Sequence, residues 1–141
     1  MSKYEIEILN EYDDDGTMPN NVSKLSDAVI GHRIVSAALG TVEGIWRESE
    51  GLILTLDDGT QVELADDEDC CAYTKLKGFF AHPEMVNHVI TGVGTTHEYT
   101  KWHIYADFGD VLTLDVEWSC GNPFYYSYGF YITVKPLEQV D

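Results

Sequence analysis

Positive charge is what this chain has least of. Eight lysines and arginines stand against twenty-five aspartates and glutamates, giving a formal charge of −17 at neutral pH. That balance argues against nucleic-acid or anionic-membrane binding, because both rely on basic patches to displace counterions. No apolar run approaches the roughly 20 residues needed to cross a bilayer. The N-terminus MSKYEIEILNEYDDD has no basic region leading into an apolar stretch, so it does not read as a secretory signal. Three cysteines, an odd number, together with no signal lead to the expectation of a cytoplasmic protein with reduced thiols. CxxC and HExxH spacings are missing, and no lysine follows the one glycine-rich turn, GVGTT. The usual sequence marks of structural zinc, zinc hydrolysis and phosphate binding are therefore absent.

What is present is a folded chain of one-domain size. Its 141 residues can bury a core without staples, and an apolar share of 44% supplies one. The expected class is α+β: a mainly antiparallel sheet of six to seven strands with one or two helices inserted at about residues 70–88. Residues 1–28 read as an N-terminal extension, with a short edge strand in KYEIEIL and an acidic loop in NEYDDDGTMPNN. One or two helical turns then run from Ser23 to Ile30, stopped by Gly31. Residues 29–135 read as the domain and 136–141 as a tail.

Within that domain RIVSAAL and TVEGIW read as two strands parted by Gly40. In GLILTLDDGTQVEL, Leu52, Leu54 and Leu56 share a side with Val62 and Leu64 across Asp58-Gly59. This is a hairpin pattern with a type I′ turn. Ala72, Leu76, Phe79 and Phe80 fall at helical spacing, with Asp69 placed to cap the helix. HVITGV and WHIYAD are strands, with GVGTT a turn between them. In residues 111–120 and 124–134 the even positions are apolar and the odd ones mostly polar. Pairing even with even around Gly121-Asn122-Pro123 predicts a hairpin with Leu112 opposite Ile132, Leu114 opposite Phe130 and Val116 opposite Tyr128. Trp118, Tyr126, Tyr128 and Phe130 then belong to the core. Tyr125 and Tyr131 point outward, either into an exposed band with His103 and Tyr105 or under a covering segment.

These motifs carry a resemblance. LTLDDGTQVEL, DDEDCCAYTKL, HVITGVGTT, WHIYAD and WSCGNPFYYSYGF, in this order, resemble a domain of unknown function found in tailed phages, notably those of actinobacteria, and in actinobacterial genomes. The resemblance covers roughly residues 29–134. It implies a small phage accessory protein and no named activity, so no catalytic residue is carried over and no cofactor is implied.

The candidate partner-binding residues are the acids Asp57, Asp58, Glu63, Asp66, Asp67, Glu68 and Asp69, within thirteen positions, and the tyrosines Tyr125 and Tyr131. Like charges so close repel one another, and a basic protein partner relieves that repulsion; plain solubility is the ordinary reading. The reactive-thiol candidates are Cys70, Cys71 and Cys120. A helix start favours the thiolate and the neighbouring acids oppose it, while buried inert cysteine is the ordinary reading. His97 and His103 offer acid–base groups without a recognisable nucleophile. The expectation is a non-enzymatic accessory protein, active in the host cytoplasm if phage-encoded, that binds a host or phage protein, with charge mimicry as one mode. A small Cys/His enzyme or ligand-binding protein and a minor virion component are the alternatives. The oligomeric state is left open, a homodimer included.

Overall fold

Alternating hydrophobicity dominates this chain, and strands follow from it. The computed structural model describes residues 6–10, 12–44, 47–69, 71–121 and 128–136. Helix α1 (Thr17–Val29) is followed by β1 (Ile34–Glu43), β2 (Glu48–Leu56), β3 (Gln61–Ala65), β4 (Asp67–Glu68) and β5 (Tyr73–Ala81). After a 3-10 turn (Met85–Asn87) come β6 (Gly92–Thr96), β7 (Lys101–Ala106), β8 (Gly109–Ser119) and β9 (Tyr131–Lys135). The described strands form two antiparallel sheets, ordered β1-β2-β3-β9 and β4-β5-β8-β7-β6. The class is α+β, with nine strands in two sheets among the described residues where about six to seven in one sheet were expected.

Several local expectations hold. Leu52, Leu54 and Leu56 are buried, with Leu52 opposite Leu64 and Leu54 opposite Val62. The turn differs in type. Leu56 N–H bonds Thr60 C=O, Gly59 N–H bonds Leu56 C=O, and Gly59 sits at φ 89°. Asp58 has no positive φ, so this is a three-residue loop with a left-handed glycine, not a type I′ pair.

Four expectations are corrected. The helix expected within 70–88 is strand β5, followed only by the 3-10 turn. A bulge between Leu76 and Gly78 explains the misreading. Ala72, Thr74 and Leu76 alternate on one face; the extra residue shifts parity, so Phe79 and Ala81 face the core and Phe80 is 62% exposed. Two alternating runs joined by one added residue mimic helical spacing. Asp69 accordingly caps no helix; its N–H bonds Ala72 C=O. The two strands expected in RIVSAAL and TVEGIW are one strand, Ile34–Glu43, running through Gly40; Ile45 and Trp46 lie outside the described residues. GVGTT is itself strand β6. The hairpin of 112–118 with 128–134 does not form. Both edges of β8 are occupied, Leu114 facing Phe79 on one side and Trp102 on the other. Ile132 pairs with Leu64 in the other sheet. Tyr125, Tyr126, Asn122 and Pro123 lie outside the described residues.

Helix α1 begins earlier than the sequence suggested. Pro19 falls in the first turn, where its missing N–H is no loss. Asp14 Oδ1 accepts Met18 N–H at 3.1 Å and Asp15 Oδ1 accepts Thr17 N–H at 3.0 Å. The apolar face Met18, Val22, Leu25 and Val29 is fully buried in a cluster shared with both sheets. Asn21 pairs its amide with both backbone groups of Phe130 just before β9. No strand forms at 6–10, and no described helix is long and apolar enough to cross a membrane.

Two buried tyrosines tie the N-terminal segment to the core. The Tyr128 hydroxyl lies 2.6 Å from Asp14 Oδ1 and 2.8 Å from Asp15 Oδ1, and it accepts Asp15 N–H at 3.0 Å. Tyr99 ends a left-handed turn, with His97, Glu98 and Tyr99 at φ 57°, 55° and 65°. Such residues cost roughly 1–2 kcal/mol each. Glu7 holds the turn by accepting the N–H groups of Glu98 and Tyr99, and Trp118 and Trp102 donate to the carbonyls of Glu98 and Tyr99.

Tyr128→Phe leaves Asp15 N–H and the two carboxylates short of a partner, so it is expected to cost about 1–3 kcal/mol in urea unfolding. Burial pushes the Tyr99 phenol up to about 12, with Asp14 and Glu7 adding to the rise. Its folded value exceeds its unfolded value of about 10. The stability it contributes is therefore fully present below pH ~10 and lost as pH rises through about 12. A phenolate titration at 295 nm followed alongside circular dichroism checks this; in the Tyr128→Phe variant, ionisation of all eight remaining tyrosines near the ordinary value of about 10, with the fold intact, contradicts it.

Candidate functional site

The seven clustered acids do not form one surface. Asp57 and Asp58 sit at the tip of the β2–β3 hairpin, separated from Asp66 by β3, about 17 Å of strand. His32 Nδ1 lies 2.9 Å from Asp57 Oδ1 and 4.0 Å from Asp58 Oδ2, and Arg33 lies 3.7 Å from Asp57. The His32 hydrogen bond, before the Arg33 charge, holds the Asp57 carboxyl below its usual value; Thr60 does so for Asp58. His32, Asp57 and Asp58 offer ligand atoms within 4.8 Å of one another, the one such group among the described residues. Arg33 and the imidazole already engage Asp57, so this set is satisfied as an ion-pair network. Glu63 is buried, with Lys135 Nζ 3.3 Å from its Oε1 in an ion-pair contact that lacks hydrogen-bond alignment.

Asp66, Asp67 and Glu68 have a different setting. They line a cleft of about 400 Å³ with Glu50 and Arg47, formed where the chain crosses from the first sheet to the second. A second hollow of about 330 Å³ shares Glu50 and Asp66 and continues between β1 and β5, floored by Leu39, Leu76 and Phe79. Sharing Glu50 and Asp66, the two make one groove; helix α1, which packs on β3, β6 and β9, supplies none of its lining. Gly51 lets the wall close in, because a Cβ there would meet Val42 Cγ2 and the Leu64 carbonyl. Asp66 opens to solvent at the groove mouth, yet the walls desolvate it enough to push its carboxyl above the ordinary value. The Leu76 N–H, 3.0 Å away, and Lys75 pull the other way without reversing this. Glu68 faces Lys75 at 3.2 Å, and Asp67 is buried in the groove wall.

The other candidates lie elsewhere. Tyr131 is 37% exposed and pairs with Ala65, on the sheet that lacks His103 and Tyr105. Tyr125 and Cys70 fall outside the described residues. Cys71 is exposed and Cys120 partly covered. Burial, followed by the charges of Asp14, Asp13 and Asp15, raises the Cys120 thiol, which keeps it protonated and a poor nucleophile. The register Tyr73 opposite Ser119 places both described thiols at one end of β5 and β8. His103 lies opposite Thr113, ~20 Å further along β8. The structure therefore does not join these thiols to His103.

It joins His103 to something else. His103 Nδ1 lies 3.0 Å from Asp110 Oδ2, its Nε2 2.8 Å from Thr96 Oγ1, and His97 Nδ1 3.1 Å from the same hydroxyl. The orienting carboxylate and the hydroxyl were not legible in the sequence. They come together only because β6, β7 and β8 are adjacent. Glu50, Leu39, Leu76 and Phe79 were missed for the same reason.

An acidic α+β protein with a groove between two sheets is the class these features define. Residues 27–132 match the family model described as Domain of unknown function (DUF7448), and the chain belongs to that family. No curated protein and no solved structure matches it.

A carboxylate with a raised pKa costs the fold stability wherever it is ionised, and that cost fades as pH falls and the folded form takes the proton first. Asp66→Asn keeps the acceptor for Leu76 N–H and removes the charge. It is expected to leave stability at pH 7 unchanged or raise it by up to about 0.5 kcal/mol, with the gain shrinking at acid pH and high salt. Urea midpoints at two pH values measure this; a clear loss at pH 7 assigns Asp66 a structural role.

Proposed function

We propose that this protein is a non-enzymatic accessory protein, encoded by a tailed phage, that binds a basic segment of a host or phage protein in the groove between its sheets. The phage assignment rests on the motif set DCCAYT and GNPFYY with its companions. The groove carries the binding reading: Glu50, Asp66 and Lys77 border the apolar residues Leu39, Leu76 and Phe79, and Asp67, Glu68 and Arg47 line the adjoining cleft, so four acids face two bases. An acidic rim over an apolar floor suits a segment that mixes aliphatic and cationic side chains. Asp66 supports it further, because a carboxylate kept where its charge is disfavoured gains most when a cation arrives. Carboxylates at the hairpin tip add long-range attraction and speed encounter. A binding protein of this kind acts in the cytoplasm of the host cell.

The hydrogen-bonded series Asp110, His103, Thr96 favours a second reading, a small enzyme with an activated hydroxyl. Neither hollow of the groove reaches those residues, which places it second.

Carboxyl-directed cross-linking in host lysate, read by mass spectrometry, separates the two. The expected links join a lysine-rich partner peptide to Glu50, Asp66 or Glu68, and they disappear in the triple variant Glu50→Gln, Asp66→Asn, Glu68→Gln. Links unaffected by that variant, or Thr96-dependent labelling by a fluorophosphonate probe with no partner recovered, would overturn the binding reading.

A further inference from the structure

Strand β1 is ten residues long and sits at the end of its sheet, bonded among the described residues to β2 alone. Long free edges are a hazard for a soluble protein, and chains blunt them with lysine, proline, short length or a covering element. The other described edges show those devices. β4 has two residues, and the part of β5 that it leaves unpaired carries Lys75, Lys77 and a bulge; β6 has α1 packed against it, and β9 has five residues ending at Lys135 before Pro136. The β1 sequence IVSAALGTVE contains neither lysine, arginine nor proline. Val35, Ser36, Ala38, Leu39, Thr41 and Glu43 are exposed, Leu39 by 52%.

The ladder shows which backbone groups are free. Gly44 N–H bonds Arg47 C=O, and antiparallel pairs alternate between bonded and unbonded from that point. Glu43–Glu48, Thr41–Glu50, Leu39–Leu52 and Ala37–Leu54 are then the unbonded pairs. Ala37, Leu39, Thr41 and Glu43 aim their N–H and C=O groups away from β2. Ile90 bonds Gly31 and His32 just before the strand, and the 3-10 turn packs on it, so Ala37–Glu43 is the stretch furthest from cover. Leu39 also lines the groove, so the free edge and the acidic groove are one continuous feature.

We infer that the partner segment binds as an added antiparallel or parallel strand on the Ala37–Glu43 edge of β1, in extended form with alternating aliphatic and cationic residues. This rests on the groove-binding reading and specifies its ligand. Main-chain bonds to the edge supply affinity, and alternate side chains reach over Leu76 and Phe79 toward Glu50 and Asp66. A second copy of the chain is the competing occupant. Pairing β1 with β1 would set two grooves rimmed by Glu50, Asp66 and Glu68 side by side on chains of charge −17 each. Charge therefore favours a basic segment over self-pairing.

A fluorescent peptide of alternating lysine and valine tests this on the full chain, with a glutamate–valine peptide as control. The expected result is binding of the lysine peptide only, with the amide shifts of Ala37, Leu39, Thr41 and Glu43 moving. Affinity should fall about tenfold or more when the peptide is N-methylated at alternate residues, which preserves charge and removes its ladder. Thr41→Pro removes one outward N–H at an edge position that tolerates proline, and should weaken binding similarly. Equal affinity of the methylated and unmethylated peptides, with loss only in the Glu50→Gln, Asp66→Asn variant, overturns strand addition and leaves groove binding standing. No binding of the lysine peptide at all overturns both. Concentration-dependent dimers that Thr41→Pro abolishes, with no peptide binding, assign the edge to a second copy.

Discussion

Strand β8 has both edges occupied, by β5 and by β7, and the rest of the architecture follows from that constraint. A strand has only two edges, so the aromatic segment after it has nowhere to pair in its own sheet. Strand β9 instead joins β3 in the other sheet. Phe130, just before β9, packs against Trp102 of β7, ring centroids 5.2 Å apart at 81°, in the shared interior. Tyr128 stacks on Trp118 at 5.8 Å, and Trp118 meets Tyr99 edge to face. The aromatic residues join two sheets; they do not line a single one.

That shared core also recruits the N-terminal segment. Met18, Val22, Leu25 and Val29 fill it from the side of β3, β6 and β9, and Asp14, Asp15 and Asn21 fasten the helix to residues just before β9. Glu7 compensates the left-handed turn that carries His97 to Tyr99. The helix contributes no residue to the groove, which is lined from β1, β2, β5 and the Asp66–Glu68 crossover. The fold thus concentrates edge, apolar floor and carboxylates in one region: among the described residues the 3-10 turn packs on β1, yet no strand pairs with its outer edge.

The acidity of the molecule separates into roles once the residues are placed. Glu63 and Asp67 are buried, Asp57 and Asp58 are engaged by His32 and Arg33, and Asp66 and Glu68 face the groove. Proximity in sequence misjudged this, because neighbouring residues of a strand point to opposite faces and a sheet crossover intervenes at Asp66. Glu50 belongs with Asp66 although the two are sixteen positions apart, because both border the same opening.

Period and turn chemistry are local properties, and the sequence by itself determined them here. The alternation of Leu52 to Leu56 and of Leu112 to Val116 specified strands and their buried faces; of the expected strand 124–134 the described part is strand only from Tyr131, with Tyr128 and Phe130 buried outside it and Val134 exposed. Asp58-Gly59 specified a tight hairpin, with only its turn type misjudged. The choice of partner strand is a non-local competition for edges, and only the tertiary structure decided it. The same holds for the bulge at Lys77, where one residue of slack in a pairing made strand spacing look helical. Of the candidate site, the acids at 66–68 were legible as charge. Their neighbours Glu50, Leu39 and Phe79, and the free edge beside them, were not, since a groove exists only where two sheets part.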